Sequence, residues 1–385
     1  MSDAPFHVFI VAGEESGDQL GATLIKALKQ RLGGDLIVSG VGGRAMTEQG
    51  LQSLFDMDEI AVMGVTAVIP RLPKILKRIN ETAKAAIAAK PDALVIIDSP
   101  DFTHRVARKV KAAMPNLPVI DYVCPSVWAW RPGRASKMRT YVDHVLALLP
   151  FEPQALKELN GPATTYVGHP LATRITKQDQ RLEADTRKTL LVLPGSRSGE
   201  IKRLLPIFQQ TLQKLTSVRD DIDIVIPAVP HLEATIRSTV SQWPLPVRIA
   251  SGEDEKKAAF NKASAALAAS GTVCLELGLA NIPMLATYKL DPIASKLRFL
   301  MTTWSTNLVN LIIDYPIVPE YIDVDLHPGK LYRALNRLLD DTPERHTQLE
   351  AFKVLREKMA LEEGVSSDEK AADIIMQLTT KSRSS

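Results

Sequence analysis

Gly195-Ser196-Arg197 and Ser270-Gly271-Thr272 are the stretches of this sequence best suited to hold a phosphate. The first follows the apolar run Leu190–Leu193 and Pro194, and precedes Ile201, Leu204, Leu205 and Phe208 at helical spacing. A strand that turns through Gly-Ser-Arg-Ser-Gly into a helix aims free backbone N–H groups and a guanidinium at one point, a natural seat for a diphosphate. The same pattern also fits an ordinary strand-to-helix loop with a surface arginine. In the second stretch Ser-Gly-Thr opens a helix, and Glu276 follows one turn after Thr272. N–H groups and hydroxyls suit a phosphate, while a nearby carboxylate suits the vicinal hydroxyls of a ribose. Serine and threonine are also common helix caps. Taken together, the two stretches point to a nucleotide-diphosphate site.

Acid–base chemistry has one good candidate. In PDALVIIDSPDF a buried strand ends at Asp98, with Asp101 three residues on. Asp101 is the better helix N-cap, which leaves Asp98 as the better base. Two of the four tryptophans fall in VWAWR, a loop that either shapes an acceptor pocket or packs the domain edge. The seven histidines have no metal-ligand spacing, and His169 in GHP reads as a core residue. Asp-x-Asp triplets at 56–58, 221–223 and 323–325 are expected by chance in a chain with 44 acidic residues. Asn307 and Asn310 lie in an apolar run, where an amide needs a backbone or ligand partner. No metal or cofactor is expected.

Residues 60–79 place Val65, Val68, Ile69, Leu72, Ile75, Leu76 and Ile79 on one helical stripe, beside a basic stripe of Arg71, Lys74 and Arg78. Such a helix either packs on its own domain's sheet or presents an apolar patch with a cationic rim to an anionic membrane or acyl chains. Pro70 suits the first turn of a helix, and Pro73 lies near enough to its start to be tolerated.

These residues need strands that end where the chemistry is. Strands alternate with helices from His7 to about residue 170, and again from 190 to 287, with helices beyond 328. That alternation predicts an α/β protein with two Rossmann-like, doubly wound parallel-sheet domains facing across a cleft. The polar run ITKQDQRLEADTRK marks the linker. The expected division is 1–174, 185–345, and a C-terminal segment 346–385. Ligands in such sheets bind beyond the strands' carboxyl ends, which would put Glu14, Glu15, Ser16, Asp98 and the Trp128–Arg131 loop on one rim. The glycine clusters lack the dinucleotide fingerprint and there is no Walker A sequence, so nicotinamide and ATP readings lose their support.

Composition sets outer bounds. A hydrophobic fraction of 45% with 24% charged residues is that of a soluble globular protein. Forty-seven Lys and Arg against 44 Asp and Glu, a net +3, is too balanced to argue for nucleic acid. Cys124 and Cys274 imply neither a disulfide framework nor a zinc site, which fits a reducing compartment. The N-terminus has no signal-peptide pattern, and residues 263–288, the nearest approach to a membrane span, are interrupted by Glu276, Asn281 and Pro283. A cytoplasmic chain is expected.

In order along the chain, VAGEESGD, AVMGV, IDSPDF, PSVWAWRPGR, LPFE, VGHP, LPGSRSGEI and ASGTVCLE resemble the lipid-A-disaccharide synthases, from about residue 8 to at least residue 312. The resemblance implies a GT-B glycosyltransferase that needs no metal and sits on the cytoplasmic face of the inner membrane. It would join UDP-2,3-diacylglucosamine to 2,3-diacylglucosamine 1-phosphate, giving a β-1,6 disaccharide and UDP. Asp98 would be the base, Glu14 and Ser16 the first-loop site, and Arg197 the diphosphate ligand. Asn310 would lie beside the nucleotide, and the 62–79 stripe would be the membrane patch. Thr66, Pro70 and Pro73 depart from that patch. The C-terminal helices would cross back onto the first domain, and the family allows a homodimer in which they swap between subunits.

Overall fold

The computed structural model describes residues 5–60, 65–175, 187–290 and 302–383. The chain forms two compact units, Met1–Pro170 with Leu361–Ser385, and Leu171–Ala360. The polar run expected as the linker falls mostly outside the described residues. Its first residue, Ile175, ends the helix Pro170–Ile175.

The first unit holds seven parallel strands: β1 (Phe6–Ala12), β2 (Leu36–Val41), β3 (Gln52–Ser53), β4 (Ala93–Ile97), β5 (Val119–Tyr122), β6 (His144–Ala147) and β7 (Ala163–Tyr166). Their order is β3-β2-β1-β4-β5-β6-β7. The central strands are apolar throughout because both faces are covered, as parallel sheets require. Phe9, Val11, Leu94 and Ile96 pack on one side with Ile79, Ala83, Phe102 and Val106. Val8, Ile10, Val95 and Ile97 pack on the other with Leu24, Ile25 and Leu28.

That second layer is completed from the far end of the chain. The helix Ser367–Arg383 adds Ala371, Ala372 and Ile375 to the same core. Arg31 Nε donates to Asp373 Oδ1 at 2.8 Å, and Ser367 Oγ donates to the Gly168 carbonyl at 2.9 Å. The crossing back begins at Leu361, later than the 346 expected from sequence. Helix Pro343–Met359 belongs to the second unit, where buried Gln348 accepts from Met284 N at 2.8 Å and donates to Met284 O at 3.0 Å.

The second unit has six parallel strands: β8 (Lys188–Leu193), β9 (Ile222–Ala228), β10 (Arg248–Ser251), β11 (Ala263–Ala269), β12 (Met284–Tyr288) and β13 (Glu320–Ile322). They run β10-β9-β8-β11-β12-β13. The three-residue β13 is a strand that sequence reading missed, being too short to show a period.

Candidate active site

Each sheet reverses its strand order once, between β1 and β4 in the first unit and between β8 and β11 in the second. The crevice beyond the strand ends at such a switch point is where doubly wound sheets bind ligands. Glu14, Ser16 and Asp98 sit at the first of these places, and Ser196, Arg197, Ser270, Thr272 and Glu276 at the second.

At the first switch point Asp98 and Ser99 follow β4, and both are left-handed, with φ of 52° and 45°. Each such non-glycine residue costs about 1–2 kcal/mol, a cost the surrounding contacts must offset. Ser99 N donates to Asp98 Oδ1 at 2.7 Å, and Ser16 Oγ donates to Asp98 Oδ2 at 3.2 Å. Ser99 Oγ donates to Glu14 Oε1 at 3.2 Å. Thr103 Oγ1 locks the turn by donating to Asp98 O at 2.7 Å. Gly13 makes this closeness possible: a Cβ there would meet Ser99 Cβ at 2.6 Å. Glu14, Ser16 and Asp98 therefore form one cluster, in which the carboxylate is held by two donors and remains partly accessible.

At the second switch point a cavity of about 450 Å³ is lined by Gly195, Ser196, Arg197, Ser270, Gly271, Thr272 and Glu276, among others. Two helices open onto it, Ser198–Thr216 behind Arg197 and Thr272–Leu279 behind Gly271, and neither N-cap residue makes a side-chain capping bond. Their first N–H groups are thus available to an anion. Gly195 has φ +110°, and a Cβ there would lie 2.5 Å from Glu200 Oε2. Arg197, 59% exposed, donates to Glu200 Oε1 at 3.2 Å. Lys256 Nζ lies 2.9 Å from Glu276 Oε1. Lys256, Glu253 and the wall Pro227–Pro230 were not foreseen in the sequence, although they too lie at or just beyond strand ends, those of β9 and β10.

Asn310 is elsewhere. Its buried amide donates to Val318 O at 2.9 Å and accepts from Val318 N at 2.8 Å, and it does not line the cavity. It also donates to Glu320 Oε2 at 3.2 Å. Glu320 in turn accepts from Ser305 Oγ and from Thr306 N and Oγ1. The Thr306 carbonyl accepts from Ser270 Oγ at 3.0 Å. Among the described residues this chain of contacts links Asn310 to the cavity.

Three further expectations need correction. Asp101 does not cap the helix Pro100–Ala113. Ser99 is its N-cap because Pro100, with φ already helical, takes the first position, and Asp101 instead faces Arg134 at 3.4 Å. Pro70 and Pro73 lie inside the helix Val65–Ala89, not near its first turn. The apolar stripe on that helix divides: Ile79 is buried and Ile75 packs on the core, while Leu72 and Leu76 are 41% and 42% exposed. The side chains of Val65, Val68 and Ile69 lie outside the described residues. The basic stripe divides as well, since Arg78 pairs with Glu59 and Glu81, both at 2.6 Å. Trp128 packs inward, its Nε1 donating to buried Glu152 Oε1 at 3.2 Å. Burial pushes the Glu152 carboxyl up to about 8 and His169 down to about 4.

The family model for lipid-A-disaccharide synthetase matches residues 8–375. The lipid-A-disaccharide synthase of Nitrobacter winogradskyi is 51% identical over 98% of this chain and 96% of its own. That of Rhodopseudomonas palustris (strain HaA2) is 48% identical over 97% and 96%. Among solved structures, Acinetobacter baumannii MurG shares the fold, with a TM-score of 0.59 at 16% identity over 97% of this chain and 100% of that one. With two doubly wound parallel-sheet domains and a match along nearly its whole length, the chain belongs to the lipid-A-disaccharide synthase family.

Proposed function

We propose that this chain transfers 2,3-diacylglucosamine from UDP-2,3-diacylglucosamine to the 6-hydroxyl of 2,3-diacylglucosamine 1-phosphate, forming the β-1,6 lipid A disaccharide 1-phosphate and UDP. The observation that carries the reading is the family match over residues 8–375, which spans both switch points. The cavity of the second unit takes the UDP moiety. The open N–H groups behind Arg197 and Gly271, together with the Arg197 guanidinium, receive the diphosphate, and Glu276 faces the ribose hydroxyls. As the anomeric bond breaks, negative charge grows on the departing diphosphate, where fixed donors lower the barrier most. Asp98 accepts the proton of the attacking hydroxyl, and the two serine donors keep its carboxylate oriented. The result is a single displacement with inversion.

The reading includes work at the inner-membrane surface. Among the described residues no helix is long and apolar enough to cross a membrane. Exposed Leu72 and Leu76 offer an apolar foothold, with Arg71 beside them for anionic headgroups. Mass spectrometry of products from purified protein, the UDP donor and the monosaccharide 1-phosphate is the test. A disaccharide 1-phosphate with stoichiometric UDP is expected, and UDP-sugar binding without that product would overturn the assignment.

A further inference from the structure

The first unit contains a second, strongly charged cavity of about 550 Å³, near the start of the helix Pro100–Ala113. Arg105, Arg108, Arg131, Arg134 and Lys137 line it, against the single carboxylate of Asp101. Five cations and one anion leave an excess of four positive charges, more than the +3 of the entire chain. Such a concentration is costly in self-repulsion unless an anion is bound there.

The arginines are also held in place. Arg108 stacks on Tyr141, 4.8 Å from the ring centroid, with Nη2 3.5 Å from the phenolic oxygen. Behind it the Tyr141 hydroxyl lies 3.1 Å from His104 Nδ1, and His104 Nε2 lies 3.1 Å from the buried Asp121 carboxylate. Arg131 has φ +55° and its guanidinium is 5.1 Å from the Trp130 ring centroid. Aromatic faces support both guanidiniums. Among the described residues Arg105, Arg131 and Lys137 make no ion pair, and Arg134 makes one at 3.4 Å. Planar forks fixed around a concavity suit a phosphate dianion, which accepts bidentate bonds from several arginines at once.

Pro100 and Asp101, at the edge of this cavity, are two and three residues beyond Asp98. An acceptor sugar that offers its 6-hydroxyl to Asp98 carries its phosphomonoester on the other side of one pyranose ring. We propose that this arginine cavity binds the 1-phosphate of the acceptor sugar and so selects a phosphorylated acceptor. The inference rests on the reaction assigned above.

The test compares kcat/KM for 2,3-diacylglucosamine 1-phosphate with that for the same sugar lacking the phosphate, in the wild type and in Arg108→Gln, Arg131→Gln and the double variant. The preference of the wild type for the phosphorylated acceptor is expected to shrink on the order of 10- to 100-fold in the double variant, while UDP affinity, which reports an intact fold, is retained. Equal losses on both acceptors, or an unaltered preference, would overturn the site. Calorimetric titration with glucosamine 1-phosphate gives a readout independent of transfer: binding that the double variant loses supports the site even where no disaccharide forms, an outcome that would sink only the reaction. If the variants instead lose binding to phosphatidylglycerol vesicles and keep their acceptor preference, the arginines serve lipid headgroups and the proposal fails.

Discussion

The two switch points are built from the same topology and solve opposite problems. The one after β1 and β4 is tight: a carboxylate is aimed by two consecutive left-handed residues and gripped by serines from two loops. The one after β8 and β11 is open: glycines keep side chains away, two helix N-termini are left uncapped, and the cations are paired with nearby glutamates. A proton acceptor must be placed accurately, whereas a leaving group needs a roomy concavity of donors. The difference teaches that one fold can spend its strand ends on rigidity or on space.

The sharpest way to break that contrast is Asp98→Asn, which keeps the shape of the side chain and one acceptor oxygen but removes the charge and the second acceptor. Turnover should fall about 10²- to 10⁴-fold with UDP affinity intact, as read by steady-state kinetics beside UDP titration. Weaker UDP binding in that variant would mean the two places are not separate in function. Gly195→Val fills the other switch point with a β-branched side chain where φ is +110° and Glu200 is already too close. It should weaken UDP on the order of 10- to 100-fold by calorimetry and destabilise the fold by about 1–3 kcal/mol. Arg197→Ala should cost about 10-fold in UDP affinity, since an exposed guanidinium contributes less than the backbone around it. An unchanged affinity would remove Arg197 from the site.

Smaller effects separate the units by pH. Buried Glu152 keeps its proton to about 8, against 4.5 in the unfolded chain, because burial penalises its charged form. The unfolded state therefore releases a proton first, and stability falls as pH rises from about 4.5 towards 8, then levels off. Urea midpoints at pH 7 and pH 8, above the range in which His169 shifts stability, should differ in the wild type and converge in Glu152→Gln. A slope that survives the substitution would point to another group. The smallest effect is expected from Leu72→Ser with Leu76→Ser, where vesicle association should drop while UDP binding stays as it was.

How much of this was legible beforehand follows from sequence distance. The 195–197 and 270–276 stretches announced themselves because strand, turn and helix are contiguous, and the apolar runs before them can only be buried strands. Asp98 stood out for the same reason, but its left-handed backbone did not, since nothing in Asp-Ser-Pro demands φ above zero. Gly13 is the partner of that geometry and lies 86 residues away from Ser99. Lys256 and the Pro227–Pro230 wall reach the cavity from neighbouring strands, a convergence no local pattern encodes. Asn310 misled for a different reason: an amide in an apolar run needs partners, and Val318 and Glu320 were near enough in sequence to supply them. Within the 60–79 stripe, periodicity alone cannot say that Ile79 turns inward while Leu76 remains outside.

Ser99 carries a consequence for anyone engineering this protein. Glycine would adopt φ +45° without strain, so Ser99→Gly should relieve about 1 kcal/mol and raise heat resistance. The same exchange deletes the hydroxyl that ties the first loop to β4 and loosens the aim of the neighbouring carboxylate. A library sorted on thermal tolerance would therefore enrich a variant that outlasts the parent and turns over more slowly.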